Sequence, residues 1–179
     1  LPDPVEGPRL APRFAPVARA SGWLRRGGGR LGLLWFGGST YNYGWLRPWL
    51  RHLARLGEAG RLELQLQVVG VDGPELQEDL ARHPAGTAPG LHLAFEPWSP
   101  AVLAGALAQC DLVLIPGDGD GRTKNTMSTN RLTESLQAGR LVVANGIPSY
   151  WEFRDSAWIG EDLLAGKQEL YRWPETVHA

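Results

Sequence analysis

The stretch KNTMSTNRLTESLQAGRLVVA, residues 124–144, contains a polar loop, a short helical pattern and an apolar run in direct succession. Ser128 or Thr129 can cap the first helical turn with its hydroxyl group, and two leucines one turn apart form an apolar side. Gly139 is suited to end the helix, because glycine tolerates the left-handed conformation common at that position. The stretch therefore predicts a short amphipathic helix that leads from a polar loop into a buried strand.

Two cations lie at the unfavourable end of this helix. Lys124 precedes the first turn and Arg131 lies inside it, where unpaired backbone N–H groups already create a positive potential. The arrangement becomes favourable if an anion with two or more charges binds the N–H groups, the nearby hydroxyl groups and both cations. A diphosphate group satisfies this requirement.

Glu134 lies one helical turn after Asn130, on the same side of the helix. A carboxylate there can accept hydrogen bonds from two vicinal hydroxyl groups, as the acidic residue of dinucleotide-binding folds does for ribose. A surface ion pair between Arg131 and Glu134, worth roughly a few tenths of a kcal/mol, explains the same two charges. The helix alone leaves both interpretations open.

Apolar runs and helical patterns alternate along the rest of the chain. Six runs are predicted as strands, at residues 31–36, 62–69, 91–95, 111–115, 141–144 and 157–159. Helices between consecutive strands specify an α/β fold: a doubly wound parallel sheet, Rossmann-like, of about six strands with helices on both faces. Ligands of such sheets bind beyond the carboxyl ends of the strands, so the polar segments that follow these ends are expected to converge.

The first predicted strand ends at a pair of glycines. Gly37 and Gly38 let a ligand approach the backbone closely, and Asn42 lies at the entrance of the next helix, whose first turn is expected to contain Pro48. The pair lacks the spaced glycines of the GxGxxG fingerprint, so a tight turn without a ligand is the commoner explanation. Both explanations remain open at this point.

Composition argues against several classes of function. The 179 residues have a net charge of −1, which disfavours a nucleic-acid-binding protein that relies on a general positive field. Cys110 is the only cysteine and the four histidines have no ligand spacing, so neither a disulfide nor a metal site is expected. No run approaches the ~18 apolar residues of a membrane span, and no signal peptide opens the chain. A cytoplasmic location is expected, and Leu1 in place of an initial Met indicates a piece of a longer protein.

The order of the motifs resembles that of a known family. LPDPVE is followed by LLWFGGSTYN, LQVVG, CDLVLIP, K-x5-N-R-x2-E-x4-G-R-LVVA, IPSYWEF and GEDLL. From residue 1 to about residue 174, the chain resembles the C-terminal, donor-binding domain of glycosyltransferases built from two Rossmann-like domains, of the group 1 or family 4 type. The resemblance implies recognition of a nucleoside-diphosphate sugar in the cleft between two domains.

The resemblance also implies roles for particular residues. Glu134 matches the second acidic residue of the family's paired-glutamate motif and, with Asn130, would contact the ribose or the sugar; Thr126 occupies the position of the first acidic residue. The turn from Phe95 to Trp98 would flank the nucleobase through backbone groups, although a tryptophan between two prolines more often packs in the core or covers a turn. The residues expected to bind the diphosphate are Gly37, Gly38, Asn42, Lys124 and Arg131.

The implied organisation is a linker at residues 1–30, a donor-binding domain at residues 31–174 and a tail at residues 175–179. An N-terminal acceptor-binding domain with the general base is expected outside this chain, which would then bind the donor without catalysing transfer. Transfer of the sugar to an acceptor hydroxyl would need neither a metal nor a separate cofactor, since the helix start and its cations would stabilise the leaving diphosphate. Peripheral association of the full-length protein with a membrane and a role in polysaccharide biosynthesis belong to the same expectation.

Two other functions are compatible with these residues. A non-catalytic nucleotide-binding or regulatory module would bind a free nucleoside diphosphate as well as the sugar conjugate. A nucleotide-sugar epimerase of similar build would release free nucleoside diphosphate and an altered hexosamine. A dehydrogenase is disfavoured, because GxGxxG is absent and only Asp72 lies near the position of a ribose-binding acid.

Overall fold

The computed structural model describes residues 30–38, 40–59, 63–71, 74–117 and 128–160. Six strands form one parallel sheet: β1 Arg30–Gly37, β2 Glu63–Gly70, β3 Leu91–Pro97, β4 Leu112–Ile115, β5 Leu141–Asn145 and β6 Trp158–Gly160. The α-helices are α1 Thr40–Glu58, α2 Pro74–Arg82, α3 Pro100–Gln109 and α4 Asn130–Gln137, and two 3₁₀ helices span Pro84–Thr87 and Pro148–Phe153. The predicted doubly wound α/β fold is confirmed. Most of the predicted linker, the GEDLL motif and the tail at residues 175–179 lie outside the described residues.

The strands lie in the order β3-β2-β1-β4-β5-β6. The chain builds the sheet outward from β1 to β3, crosses back to β4 beside β1, and then builds outward in the opposite direction. Strand order therefore reverses between β1 and β4, which is the place where open α/β sheets bind their ligands. No helix within the described ranges has the length and hydropathy needed to cross a membrane.

β1 is buried on both faces of the sheet. Leu33 and Trp35 pack in one core with α1 and α2, whereas Leu34 and Phe36 pack in a second core with α3 and α4. These four consecutive residues are each 0–4% exposed. Side chains of a strand point alternately to the two faces, so a strand covered on both sides needs a continuous apolar run, as the sequence LLWF provides.

The helix α1 begins earlier than the position of Pro48 predicts. Pro48 was expected in the first turn, but α1 starts at Thr40 and contains the proline in its interior. Proline lacks the N–H group that would bond to the carbonyl of Gly44, and in a helix interior it costs about 3 kcal/mol. The helix tolerates it because four large side chains on its inner side are each only 0–6% exposed, namely Leu46, Trp49, Leu50 and Leu53.

The strand β3 also extends further than predicted. Glu96 and Pro97, expected in a turn, pair with Val69 and Gly70 of β2, so the turn begins at Trp98. Pro97 is tolerated because β3 is an edge strand, and an edge strand does not use every N–H group in pairing.

Gly57 offers a test of the packing between α1 and the turn before β3. A Cβ atom on Gly57 would lie 2.7 Å from backbone atoms of Pro89 and Gly90. Gly90 has a φ of 75°, so the backbone of this turn cannot easily shift to another conformation. We expect Gly57→Ala to lower the free energy of unfolding by about 1–3 kcal/mol, measured by urea denaturation.

Gly105 is the matched control for this substitution. It lies inside α3, and a Cβ atom there meets nothing within 4 Å. Gly105→Ala is expected to raise the free energy of unfolding by about 0.5–1 kcal/mol, because alanine loses less backbone entropy than glycine on forming a helix. Equal effects of both substitutions would contradict the close contact at Gly57.

Candidate functional site

The carboxyl ends of β1, β4 and β5 lie next to one another in the sheet. β1 ends at Gly37, and the chain continues after β4 through Pro116 and Gly117. The Gly117 amide donates a hydrogen bond of 3.0 Å to the side-chain oxygen of Asn145, the last residue of β5. The three ends therefore form one edge, at the point where the strand order reverses.

Arg131 reaches this edge from the second position of α4. Its Nη1 atom donates a hydrogen bond of 3.2 Å to the carbonyl oxygen of Phe36. A Cβ atom on Gly37 would lie 3.5 Å from the same nitrogen and 3.0 Å from the ring of Trp35. The guanidinium group thus lies across the end of β1, next to Gly37.

The charge of Arg131 has no carboxylate partner in the described part of the chain, where the salt bridges join other residues. Burial lowers the pKa of the Arg131 guanidinium. Arginine nevertheless remains protonated at neutral pH. Removing a cation from water without a counter-charge is costly, so the site favours an incoming anion.

Glu134 lies one turn further along α4 and is half-buried. Burial raises the pKa of its carboxyl group. The surface ion pair with Arg131 considered above does not form among the described salt bridges. No salt bridge therefore joins these two opposite charges in the described part of the chain, despite their helical spacing.

The start of α4 uses the hydroxyl group of Ser128. Its Oγ atom accepts a hydrogen bond of 3.2 Å from the amide of Asn130, whereas Thr129 occupies the cap position without a capping bond from its side chain. Asn130 is exposed at this first turn. Gly139, with a φ of 66°, follows the helix as predicted.

The structure describes the other residues predicted to bind the diphosphate only in part. Gly38 is exposed directly after β1, and the neighbouring carbonyl of Gly37 accepts a hydrogen bond of 3.4 Å from the amide of Val71. Asn42 lies in the first turn of α1, near the same edge, but its side chain is outside the described part of the structure. Lys124 and Thr126 lie in residues 118–127, which are outside it entirely.

Phe95 and Trp98, expected beside the nucleobase, have different surroundings. Phe95 is half-buried and lines an open groove of about 320 Å³ together with Gln77 and Leu80 of α2, on the face of the sheet opposite to α4. Trp98 follows β3 directly, is 46% exposed, and donates its backbone N–H to the carbonyl of Gly70 at 2.8 Å. Trp98 is therefore not part of the core; it lies in the turn after β3, with its ring partly exposed.

A further residue near the site, Tyr150, was not among those predicted from the sequence. The structure buries it completely, and its hydroxyl lies 3.5 Å from the carbonyl oxygen of Ser128. The sequence feature that could have predicted this position is the segment IPSY, which directly follows the carboxyl end of β5. That position predicts proximity to the site, but not which side chain it meets.

The sequence matches no protein-family model and no curated protein. Several solved structures are similar to this chain, and two of them are as follows. One, described as trehalose-6-phosphate from E. coli bound with UDP-2-fluoro glucose, aligns with a TM-score of 0.47 and 15% identity, over 94% of this chain and 40% of that chain. The other is a trehalose-6-phosphate synthase studied with bisubstrate glycomimetics for glycosyltransfer with retention, with a TM-score of 0.49 and 13% identity, over 95% of this chain and 43% of that chain. This chain spans about two fifths of their length, and the likeness concerns the fold alone.

Replacement of Arg131 by an apolar residue of similar length tests whether the fold needs its charge. We expect Arg131→Met to change the free energy of unfolding by less than about 1 kcal/mol, because the lost hydrogen bond to Phe36 and the relieved burial of a cation oppose each other. Leu132→Ala, at a neighbour that is 0% exposed, is expected to cost about 2–5 kcal/mol in the same urea titration. A loss above about 2 kcal/mol for Arg131→Met would identify Arg131 as a structural residue.

Proposed function

We propose that this domain binds the diphosphate of a nucleoside-diphosphate sugar and serves as the donor-binding part of a glycosyltransferase. The observation that carries the proposal is the position of Arg131, whose guanidinium lies across the end of β1, at the reversal of strand order, without a carboxylate partner among the described residues. A structural arginine is normally balanced by a carboxylate when it leaves water. The missing counter-charge is supplied, on this proposal, by the ligand.

A diphosphate suits the groups at this edge better than a single carboxylate would. The planar guanidinium of Arg131 can bind two phosphate oxygens at once, because the hydrogen bond to Phe36 uses only one of its five N–H donors. The first turn of α4 adds the positive end of its dipole. Gly38, Asn42 and Lys124 would supply further donors to the second phosphate.

The remaining parts of the donor would lie along the same edge. Glu134, half-buried and without a cation, would accept hydrogen bonds from the ribose or sugar hydroxyl groups, and Asn130 would contact them from the first turn. The exposed ring of Trp98 follows β3, which is two strands and thus roughly 10 Å from β1. A nucleobase held there would stack on the ring.

The chemistry supported by this site is departure of the diphosphate. During transfer, the bond between the sugar C1 atom and the phosphate oxygen breaks with its electron pair moving to the diphosphate, while an acceptor oxygen bonds to C1 and loses its proton to a base. Arg131 and the start of α4 would stabilise the charge that develops on the diphosphate. The acceptor site and the base would belong to a second domain, outside the described residues.

Calorimetric titration with UDP, GDP and ADP, their glucose conjugates and the corresponding nucleosides tests this function. We expect at least one sugar conjugate to bind, with its nucleoside binding much more weakly because the diphosphate is absent. A conjugate that binds more tightly than its free diphosphate supports a donor-binding domain. Equal binding of both favours a nucleotide-binding module without transfer, and no binding of any diphosphate contradicts the site.

Substitution of the cations tests which groups hold the diphosphate. Arg131→Ala is expected to weaken binding by about 1–3 kcal/mol through loss of charge-assisted hydrogen bonds, and Lys124→Ala is expected to act alike. Arg51→Ala is the control, because Arg51 is an exposed arginine on α1 that contributes equally to net charge. If Arg51→Ala weakens binding as much as the other two substitutions do, a general positive field and not this site attracts the ligand.

Glu134 predicts the pH dependence of donor binding. Only the ionised carboxylate accepts two hydroxyl hydrogen bonds, and burial raises its pKa above that of an ordinary glutamate. Affinity for the sugar conjugate should therefore fall as the pH is lowered through this raised pKa, at a higher pH than an exposed glutamate would cause. In Glu134→Gln the affinity should be lower at neutral pH and lose this dependence, and an unchanged pH profile would exclude Glu134 from the contact.

A further inference from the structure

The strand β3 forms one edge of the sheet, and its outer side has no partner strand in the described part of the chain. Pairing with β2 uses the backbone groups of every second residue of β3. The carbonyl of Gly90, just before β3, accepts a hydrogen bond of 2.8 Å from the amide of Leu64. Even-numbered residues of β3 therefore direct their N–H and C=O groups to β2, whereas Leu93 and Phe95 direct theirs to the open edge.

The side chains of β3 differ between the two faces of the sheet. Leu93 and Phe95 are half-buried and line the open groove beside α2. His92, Ala94 and Glu96 are exposed on the opposite face. The edge strand thus has an apolar face, and a polar face on which a base and an acid flank a small alanine.

The base and the acid on the polar face use only part of their polar atoms in contacts with β2. Nε2 of His92 lies 3.2 Å from Oε1 of Glu63. Nε2 of Gln67 donates a hydrogen bond of 2.8 Å to Oε1 of Glu96. Neither contact involves Nδ1 of His92 or Oε2 of Glu96, so both atoms can meet a facing strand.

We propose that β3 pairs with β3 of a second copy of this chain, antiparallel, around a twofold axis at Ala94. In this register Leu93 faces Phe95 of the second copy, and the outward N–H and C=O groups of both residues form hydrogen bonds across the axis. His92 faces Glu96 of the second copy, so a base meets an acid on each side of the two alanines. The proposal is independent of the proposed function, and it joins the sheets of two chains into one.

Other antiparallel registers of the same strand lack this complementarity. An axis at Glu96 places two carboxylates opposite each other, which is destabilising, and an axis at His92 places two histidines opposite each other. An axis at Leu93 places His92 opposite Ala94, so the contact between base and acid is lost. Pro97 has no N–H group, so the ladder of hydrogen bonds ends beside it.

The sequence of β3 does not have the features that commonly prevent edge pairing. Edge strands are usually protected by lysines, by bulges or by charges of one sign. From Leu91 to Glu96 there is no lysine and no proline, and the two ionisable side chains are of opposite type. Pairing would also place Phe95 of the second copy beside Leu93 on the groove side, which removes apolar surface from water. The edge is therefore complementary to itself.

Sedimentation velocity of the full 179-residue chain over a range of concentrations tests the dimer. We expect a reversible equilibrium between monomer and dimer. Ala94→Lys places two like charges at the axis while the exposed position spares the core, so it should raise the dissociation constant by about tenfold or more. Gln137→Lys adds the same charge at an exposed position of α4 and should leave the dissociation constant unchanged. A wild-type chain that stays monomeric at millimolar concentration, or equal dimerisation of Ala94→Lys and wild type, overturns the proposal.

Exchange of two charges tests the register. His92→Glu places acid opposite acid on both sides of the axis and should weaken the dimer by about tenfold or more. Adding Glu96→Lys to His92→Glu should restore most of the affinity, because a base again faces an acid. An unchanged dissociation constant in His92→Glu, or a double variant that dimerises no better than His92→Glu, overturns the proposed pairing.

Amide hydrogen exchange identifies the backbone groups that pair. In the monomer, the amides of Ala94 and Glu96 should be protected by β2, whereas those of Leu93 and Phe95 should exchange rapidly. At concentrations where the dimer forms, the amides of Leu93 and Phe95 should become protected too. Protection of these two amides in monomeric Ala94→Lys would mean that another segment of this chain covers the edge. Rapid exchange at every concentration would mean that the edge is left for a different protein, and either result overturns the proposal.

Discussion

The candidate site depends on one constraint, the burial of β1 on both faces of the sheet. Leu33 and Trp35 face one core, and Leu34 and Phe36 face the other. With both faces closed and neighbouring strands on either side, a ligand can reach the backbone of β1 only at its ends. The carboxyl end coincides with the reversal of strand order, where the connections diverge and leave a crevice.

At this edge of the sheet, the two charged residues of α4 do not form an ion pair with each other in the described part of the chain. Arg131 and Glu134 have the spacing of a helical ion pair, yet each loses hydration on folding and no salt bridge joins them in the described part of the chain. An ion pair would have been a small gain that satisfied both groups. The fold instead bonds the cation to a neutral oxygen atom, the carbonyl of Phe36, which preserves its charge for a ligand.

A doubly wound sheet is shared by proteins of many activities, so the fold by itself leaves the reaction undetermined. The structural likeness to trehalose-6-phosphate synthase chains is at 13–15% identity and TM-scores of 0.47 and 0.49, which is resemblance of architecture. The proposal of a donor-binding domain therefore depends on particular groups: a cation at the strand end, a carboxylate one turn further on, and an exposed ring beyond β3.

Local features of the structure were predictable from the sequence. Apolar runs located the six strands, the leucine spacing located α4, and Gly139 located its end, because each depends on which side of a short segment is buried or on a single backbone angle. The interior position of Pro48 and the extension of β3 to Pro97 were not predictable in this way. Both depend on burial or pairing with other elements, which outweighs the local preference of proline.

The sequence alone determined the fold class and the presence of two cations near the start of one helix. Only the tertiary structure decided which groups meet: Arg131 contacts Phe36, 95 positions away, and Tyr150 lies against Ser128, 22 positions away. The spacing of residues along a helix states which side chains share a face, but contacts between elements depend on the order of strands in the sheet. That order is set by how the whole chain buries its apolar surface, which no short pattern contains.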